Sequence, residues 1–264
     1  MFQATLKKMQ TENLQPINYF LDVDGGFIKL NQLLGKRIRM EYVGSECLNC
    51  GLEKEIFRQG HCKSCFFDSP ATGDWVMRPE LSKAHLGQAD RDFEYESKMQ
   101  LQPHVVYLAL SSHLKVGVTR KSQLPTRWID QGAHEASVLL EVPNRYLAGV
   151  GEVALKNYFS DKTNWRKMLQ NEAESVQWDQ ARNQAIDGIP NDLKPYIVRD
   201  SITVQNLMFP VLQHPKKVKS LNLSKTPFFE EKLMGIKGKY LIFEDATVFN
   251  VRSNEGKCIE LQID

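Results

Sequence analysis

The chain has 264 residues, 42% of them hydrophobic and 25% charged, which supplies a sizeable core and more length than one small module needs. Its 34 Lys and Arg against 32 Asp and Glu leave a formal charge of +2, which excludes a uniformly basic nucleic-acid coat and an acidic tail, so any charged surface has to be local. No stretch offers the roughly 20 apolar residues of a membrane span, and residues 1–16 carry no apolar signal core, so the sequence predicts a cytoplasmic protein with no membrane partner.

Residues 1–66 read as strands that lead into a cysteine cluster. Arg37-Ile38-Arg39-Met40-Glu41-Tyr42-Val43 alternates charged and apolar side chains as a half-buried strand does. Cys47-Leu48-Asn49-Cys50 and Cys62-Lys63-Ser64-Cys65 follow, separated by eleven residues. Two residues between the sulfurs of each pair let both thiolates face one tetrahedral ion, and Gly51 frees the backbone to turn after the first pair. The segment between the pairs, with Phe57 and Gly60, suits a single hairpin. This is a zinc ribbon pattern, and the spacing favours zinc at Cys47, Cys50, Cys62 and Cys65 over an iron–sulfur or redox role. Four thiolates complete the tetrahedron and leave no position for water or substrate, so the ion is structural. Lys54, Arg58, His61 and Lys63 give the ribbon a modest basic face. Cys258 stands apart in the alternating run 256–261 and reads as a small buried hydrophobe.

Residues 67–103, broken by Pro70, Gly73, Pro79 and Gly87, read as a loop-rich connector with one short strand at Trp75-Val76-Met77. His85, Asp90, Glu94, Glu96 and His104 are too loosely spaced for a second metal site and read as solvated loop groups. Residues 104–170 form the central domain: strands at 105–110 and 114–119 joined by Ser111-Ser112-His113, a short helix from Pro125 or Thr126 to Gly132, and a strand at 137–142. A long helix follows, N-capped by Asn144, with Leu147, Val150, Ala154, Leu155 and Tyr158 at helical spacing. Residues 171–200 suggest a helical linker, with a helix over 172–186 ended by Gly188 and Pro190. Residues 201–264, β-rich from Ile202 and broken by Gly235, Gly238 and Asn254-Glu255-Gly256, suggest a small β-barrel or open sheet.

The central segment resembles the GIY-YIG nuclease domain. Val105-Val106-Tyr107, then Lys115-Val116-Gly117-Val118-Thr119, then Arg127 and Glu152 in successive helices carry the resemblance, which spans about residues 104–169. More widely, Thr119-Arg120, the phrase from Pro125 to Ala133 and Gly235-Ile236-Lys237-Gly238 resemble an uncharacterised bacterial family that joins a zinc ribbon to such a domain. The resemblance implies an α+β protein: zinc ribbon, GIY-YIG-like central α/β domain, and C-terminal β module. It implies Tyr107 as general base, Arg127 as the cation opposing developing phosphorane charge, Glu152 as a magnesium ligand, and Lys115 as a further phosphate contact, since hydrolysing a phosphodiester needs those parts. Lys115 stands where the family has a tyrosine, so two functions stay open: a magnesium-dependent endonuclease, or a module that binds nucleic acid or protein without cutting. DNA or RNA is the expected partner of the first and of a nucleic-acid-binding form of the second, because nine Lys and Arg stand against five Asp and Glu between Pro103 and Gln170. Arg120, Lys121 and Trp128 are the expected nucleic-acid contacts, although core packing suits Trp128 as well.

Overall fold

In the computed structural model, which describes residues 1–198 and 203–264, the two ends of the chain meet in one sheet. The chain opens with β1 (Phe2–Thr5), β2 (Gln10–Glu12), β3 (Asn18–Val23), β4 (Gly26–Lys29) and β5 (Arg37–Ser45). Its middle holds α1 (Lys63–Asp68), α2 (Asp74–Met77), α3 (Phe93–Gln100), β6 (His104–Leu110), β7 (Leu114–Arg120), α4 (Thr126–Asp130), β8 (Glu135–Val142), α5 (Arg145–Leu155), α6 (Trp165–Leu169) and α7 (Trp178–Gly188). It closes with β9 (Gln205–Asn206), β10 (Lys219–Ser220), β11 (Phe228–Lys237), β12 (Tyr240–Phe243), β13 (Thr247–Asn250) and β14 (Lys257–Ile263).

The alternation read in β5 is used on both of its edges. Ile38 and Met40 point inward, while antiparallel β14 and β11 pair on either side. The whole sheet runs β1-β14-β5-β11-β12-β13-β10, and β2-β3-β4 form a small sheet of their own. The third sheet, β7-β6-β8-β9, is antiparallel throughout and covered on both faces, which is why every residue of β6 is buried. Val105, Tyr107 and Ala109 face the core shared with Ile38, Met40, Ile236 and Phe243. Val106 and Leu108 face the other way, toward Ala148 and Leu155 of α5 and Ala185 of α7. The result is mixed α+β with open sheets, and no barrel closes among the described residues.

Helix α5 is held from both sides. Asn144 Oδ1 accepts from the Leu147 N–H at 2.9 Å, satisfying a donor of the first turn as the cap reading anticipates. One side of the helix then lies on the sheet, and the other receives the connector: Arg145 donates through Nε to the Trp75 carbonyl at 3.0 Å and through Nη2 to the Val76 carbonyl at 2.7 Å. Gly149 permits this approach, since a Cβ there would stand 2.3 Å from the Glu80 backbone nitrogen.

Several local expectations are corrected. Trp75-Val76-Met77 lies in the short helix α2, because Trp75 is buried and Arg145 binds the carbonyls near its end; three apolar residues between Gly73 and Pro79 are too few to show a period. Helix α5 stops at Leu155, Tyr158 is exposed, and α6 is a separate element. The helix expected from 172 begins at Trp178, because residue 174 is held in the loop by Glu174 N–H donating to the Ser112 carbonyl at 3.1 Å. Gly235 lies inside β11 at a register shift and breaks no strand, whereas Gly238, with φ +62°, does form the β11–β12 turn. Cys258 is half-buried, 3.5 Å from the Thr5 hydroxyl. The expected boundary at 200/201 and the β onset at Ile202 lie outside the described residues.

Gly149→Ala tests the helix–connector seam. The added methyl meets backbone, which has little room to yield, so stability should fall by about 1–3 kcal/mol or more, read as a lower denaturant midpoint at unchanged m-value.

Candidate functional site

The four cysteines of the ribbon pattern come together. Their Sγ atoms all lie within 4.8 Å of one another, and four sulfurs around one zinc with bonds of about 2.3 Å would stand about 3.8 Å apart, so a small contraction completes a tetrahedron. Turns with positive φ at Gly51 (+67°) and at Gln59 and Gly60 (+52° and +75°) fold the two pairs toward each other, and the hairpin between them closes through Phe57 N–H to the His61 carbonyl at 2.8 Å. Burial works against a thiolate at Cys47, but N–H groups of Cys62, Cys50 and Asn49 more than offset it and bring the thiol down to about 6. Cys65 goes the other way, to about 12, because the Cys62 sulfur already uses it as a donor and burial adds to the effect. Four such sulfurs ionise together only around a cation, so the donor set fits a metal ion and suits zinc.

A second feature is a cleft of about 590 Å³ where four parts of the chain converge. Lys8 and Met9 come from the segment between β1 and β2, Lys115 from β7, Arg127, Asp130 and Gln131 from α4 and its end, Lys239 from the β11–β12 turn and Arg252 from the turn after β13. Two of its cations are answered: Lys8 pairs with Asp130 at 2.6 Å and Arg252 with Glu255 at 2.6 Å. The cleft carboxylate Asp161 is taken by Lys156 at 3.3 Å. Among the described residues, Lys115, Arg127 and Lys239 form no ion pair. They repel one another: Lys115, only 5% exposed, is brought down to about 8 by burial, then by Arg127 and Lys239. Burial lowers Lys239 as well, with Arg127 and Arg252 adding to it.

The remaining expected site residues are distributed around this cleft. Tyr107 is fully buried beneath it, and its hydroxyl donates to Gln131 Oε1 at 3.1 Å, with Arg127 also beside the phenol. Burial raises its proton affinity, and Arg127 and Gln131 pull back. The ring passes directly over Gly117, where a Cβ would stand 2.6 Å from the phenol oxygen, so only glycine leaves it room. Trp128 is also buried, packed edge-to-face on Tyr107 at 5.9 Å; it supports the phenol and offers no free face to a base. Glu152 does not line the cleft. It sits on α5, on the far face of the sheet from Tyr107, and pairs with Lys156 at 3.5 Å; burial raises its carboxyl and Lys156 partly offsets this. Its charge still acts on Tyr107 and Lys115 at longer range. Arg120 donates to Met99 Sδ at 3.1 Å, and Lys121 pairs with Glu141 at 2.7 Å on the surface. Lys8, Lys239 and Arg252 escaped the sequence reading because each lies in or beside a turn. The phrase Gly235-Ile236-Lys237-Gly238 ends one residue before Lys239 and was the available signal.

The knuckle and the cleft share a wall. Gly60 lies against Glu255, whose Cβ would be 3.3 Å from an added methyl, and Gly256 accepts from the Glu46 N–H at 2.7 Å. Glu255 is the partner of Arg252 and also accepts from the Lys8 backbone. Behind another wall, Lys237 is 1% exposed and donates to His134 Nε2 and Asn171 Oδ1, both at 3.0 Å; burial takes its amine down to about 7.

An open α+β architecture with a metal-binding cysteine cluster defines the class of protein. The chain belongs to the DUF2797 family, described as a protein of unknown function, whose model matches residues 35–259; the span includes the knuckle, Lys115, Arg127, Lys239 and Arg252. No curated protein and no solved structure matches it. No helix among the described residues is long and apolar enough to cross a membrane.

Two outcomes check these sites. Elemental analysis should find one metal ion per chain, and Cys62→Ser should shed it and speed proteolysis within residues 46–62 at least tenfold, because the knuckle then lacks what closes it. Lys237 binds its proton less tightly folded (about 7) than unfolded (about 10.4), so the native state holds fewer protons between those values. Its contribution to stability should therefore rise with pH through that window, by up to about 1.4 kcal/mol per pH unit, seen as the difference between wild type and Lys237→Met in denaturant titrations.

Proposed function

We propose that the cleft binds the phosphodiester backbone of DNA or RNA, with Lys115, Arg127 and Lys239 as phosphate ligands, and that the cysteine knuckle holds a structural zinc ion which stiffens the wall carrying Arg252. The observation that carries this reading is the convergence on a single cleft of three cations, none ion-paired among the described residues and one of them nearly buried. Like charges lining one cleft raise one another's energy, and a phosphate between them would turn the repulsion into charge-assisted hydrogen bonds. Arginine suits a bidentate grip on a phosphate and the two lysines act as point charges. Cysteines kept as thiolates around zinc fit a reducing compartment such as the cytoplasm.

Binding without cutting is the reading we favour. Hydrolysis would call on a carboxylate free to hold magnesium, whereas Glu152 has Lys156 for a partner and a carboxyl that burial protonates more readily. It would also call on a phenol able to lose its proton, and burial makes that harder for Tyr107. A nuclease reading, with Tyr107 as base and magnesium on Glu152, keeps one observation in its favour: the Arg127 guanidinium lies beside the Tyr107 phenol, and the Glu152 charge acts on both Tyr107 and Lys115.

Fluorescence anisotropy with labelled oligonucleotides separates the possibilities. Binding should weaken with salt, and replacing Lys115 and Lys239 by Ala together should lower affinity at least tenfold and flatten the log–log salt slope by about one per residue removed. Affinity indifferent to both substitutions would end the reading. Magnesium-dependent nicking that disappears in Glu152→Gln while binding persists would establish the nuclease instead.

A further inference from the structure

The cleft is walled by rings as well as charges. Trp165, half-buried at the start of α6, and Tyr240, the first residue of β12, both line it and lie face to face, with ring centroids 5.6 Å apart and planes within 8°. The Arg166 guanidinium lies over the indole at 4.2 Å from its centroid and forms no ion pair among the described residues. Tyrosine, tryptophan and guanidinium therefore make one continuous stack of flat π-surfaces beside Lys239, which precedes Tyr240 in the chain. Hydrogen-bonding side chains of differing character are within the same cleft: Gln123, Thr126, Thr163 and the carboxylate of Asp161. A site for bare phosphate has no use for that wall.

Size points the same way. About 590 Å³ falls within the range of sites that enclose small ligands, roughly 300–1,000 Å³, and four chain segments bound it. Such a space takes a nucleotide or two with the base turned out of any stack, and offers a continuous base-paired helix no room to enter. Unstacked bases are the ones that proteins read by stacking on aromatic rings and guanidinium planes.

We propose that the cleft accepts a nucleotide in single-stranded form, its phosphate held by Lys115, Arg127 and Lys239 and its base stacked at the Arg166-covered side of Trp165, which buried Tyr240 backs, so that the protein selects single-stranded over duplex nucleic acid. The proposal rests on the phosphate reading above and adds the base subsite. Because stacking needs only a π-face, the site is tolerant of sequence, and Arg166 either shares the stack with the base or is displaced to the backbone. A free nucleotide and a strand offer the same chemistry; the strand gains from neighbouring phosphates reaching Lys8 and Arg252 along the rim.

The test compares the full-length, metal-loaded protein and three variants on four probes: a mononucleotide, a single-stranded oligonucleotide, the same oligonucleotide with an abasic residue at every position, and a blunt duplex. Single strand should bind at least tenfold more tightly than duplex. Trp165→Leu keeps an apolar side chain against Tyr240 but removes the π-face; it should cost at least fivefold on the base-bearing strand and leave the abasic strand unchanged. Trp165→Tyr should restore most of the loss, and unchanged thermal melting of both variants shows that the fold is intact. A mononucleotide that binds as well as the strand assigns the site to free nucleotides, while tighter strand binding assigns it to nucleic acid. Equal or better duplex binding, or an equal loss on base-bearing and abasic strands, overturns the base subsite even where the Lys115,Lys239 double variant confirms the phosphate site. Loss of neither kind in any variant overturns both.

Discussion

A lysine amine that is almost out of water, with an arginine and a second lysine beside it, is an unfavourable arrangement that the rest of the fold has to hold in place. Lys115 is fixed by β7, whose inner edge pairs with β6 and whose outer edge is covered where Val116 N–H donates to the Ser160 carbonyl at 2.9 Å. Arg127 arrives on α4, anchored through buried Trp128 and Ile129. Lys239 is delivered by the Gly238 turn, which approaches α4 so closely that a Cβ there would be 3.1 Å from the Asp130 carbonyl. Backbone placement thus brings the three together, Lys115 buried and Arg127 and Lys239 exposed, while Asp161 and Glu152 offset the charge at Lys115 and Asp130 and Glu255 that at Lys239 only in part. A buried amine whose proton affinity is lowered by burial and like charges in a cleft marks a candidate functional site.

The metal knuckle belongs to the same construction. Phe57 of the hairpin and Phe66 and Phe67 of α1 cluster partly at the surface and give the knuckle little core of its own, so a metal ion on the four cysteines would supply its cohesion. It is joined to the end of the chain through Gly60 and Gly256, and Glu255 at that joint neutralises Arg252 and takes the Lys8 backbone. A metal ion held there would thus bear on the proposed binding, by deciding how firmly one wall of the cleft stands.

What was legible in the sequence was local. Two CxxC pairs at hairpin separation, the turn at Ser111-Ser112-His113 and the Asn144 cap each carry their geometry within a few residues, and the structure has them where they were read. The pairing of β14 with β5 and β1 was not legible, since nothing in the alternation of residues 37–43 says which distant strand will lie beside it. That pairing folds the ends of the chain into one sheet and brings Lys8, Lys239 and Arg252 to Lys115 and Arg127. Half of the cleft was therefore invisible to motif reading, while Trp128, an attractive base-stacking residue by sequence position, lies under Tyr107, and half-buried Trp165, backed by buried Tyr240, stands on the cleft wall instead.

Lys115 is held in a cationic field from Arg127 and Lys239 that Asp161 and Glu152 offset only in part, and an anion in the cleft would relieve it. Nitrogen-detected NMR of the lysine side chains, with Lys115→Met to assign the resonance, reads this directly. Lys115 should titrate near pH 8 in the free protein, and saturating single-stranded oligonucleotide should move that midpoint upward by a unit or more. A midpoint near the ordinary lysine value of about 10.4, unmoved by the oligonucleotide, would contradict the account.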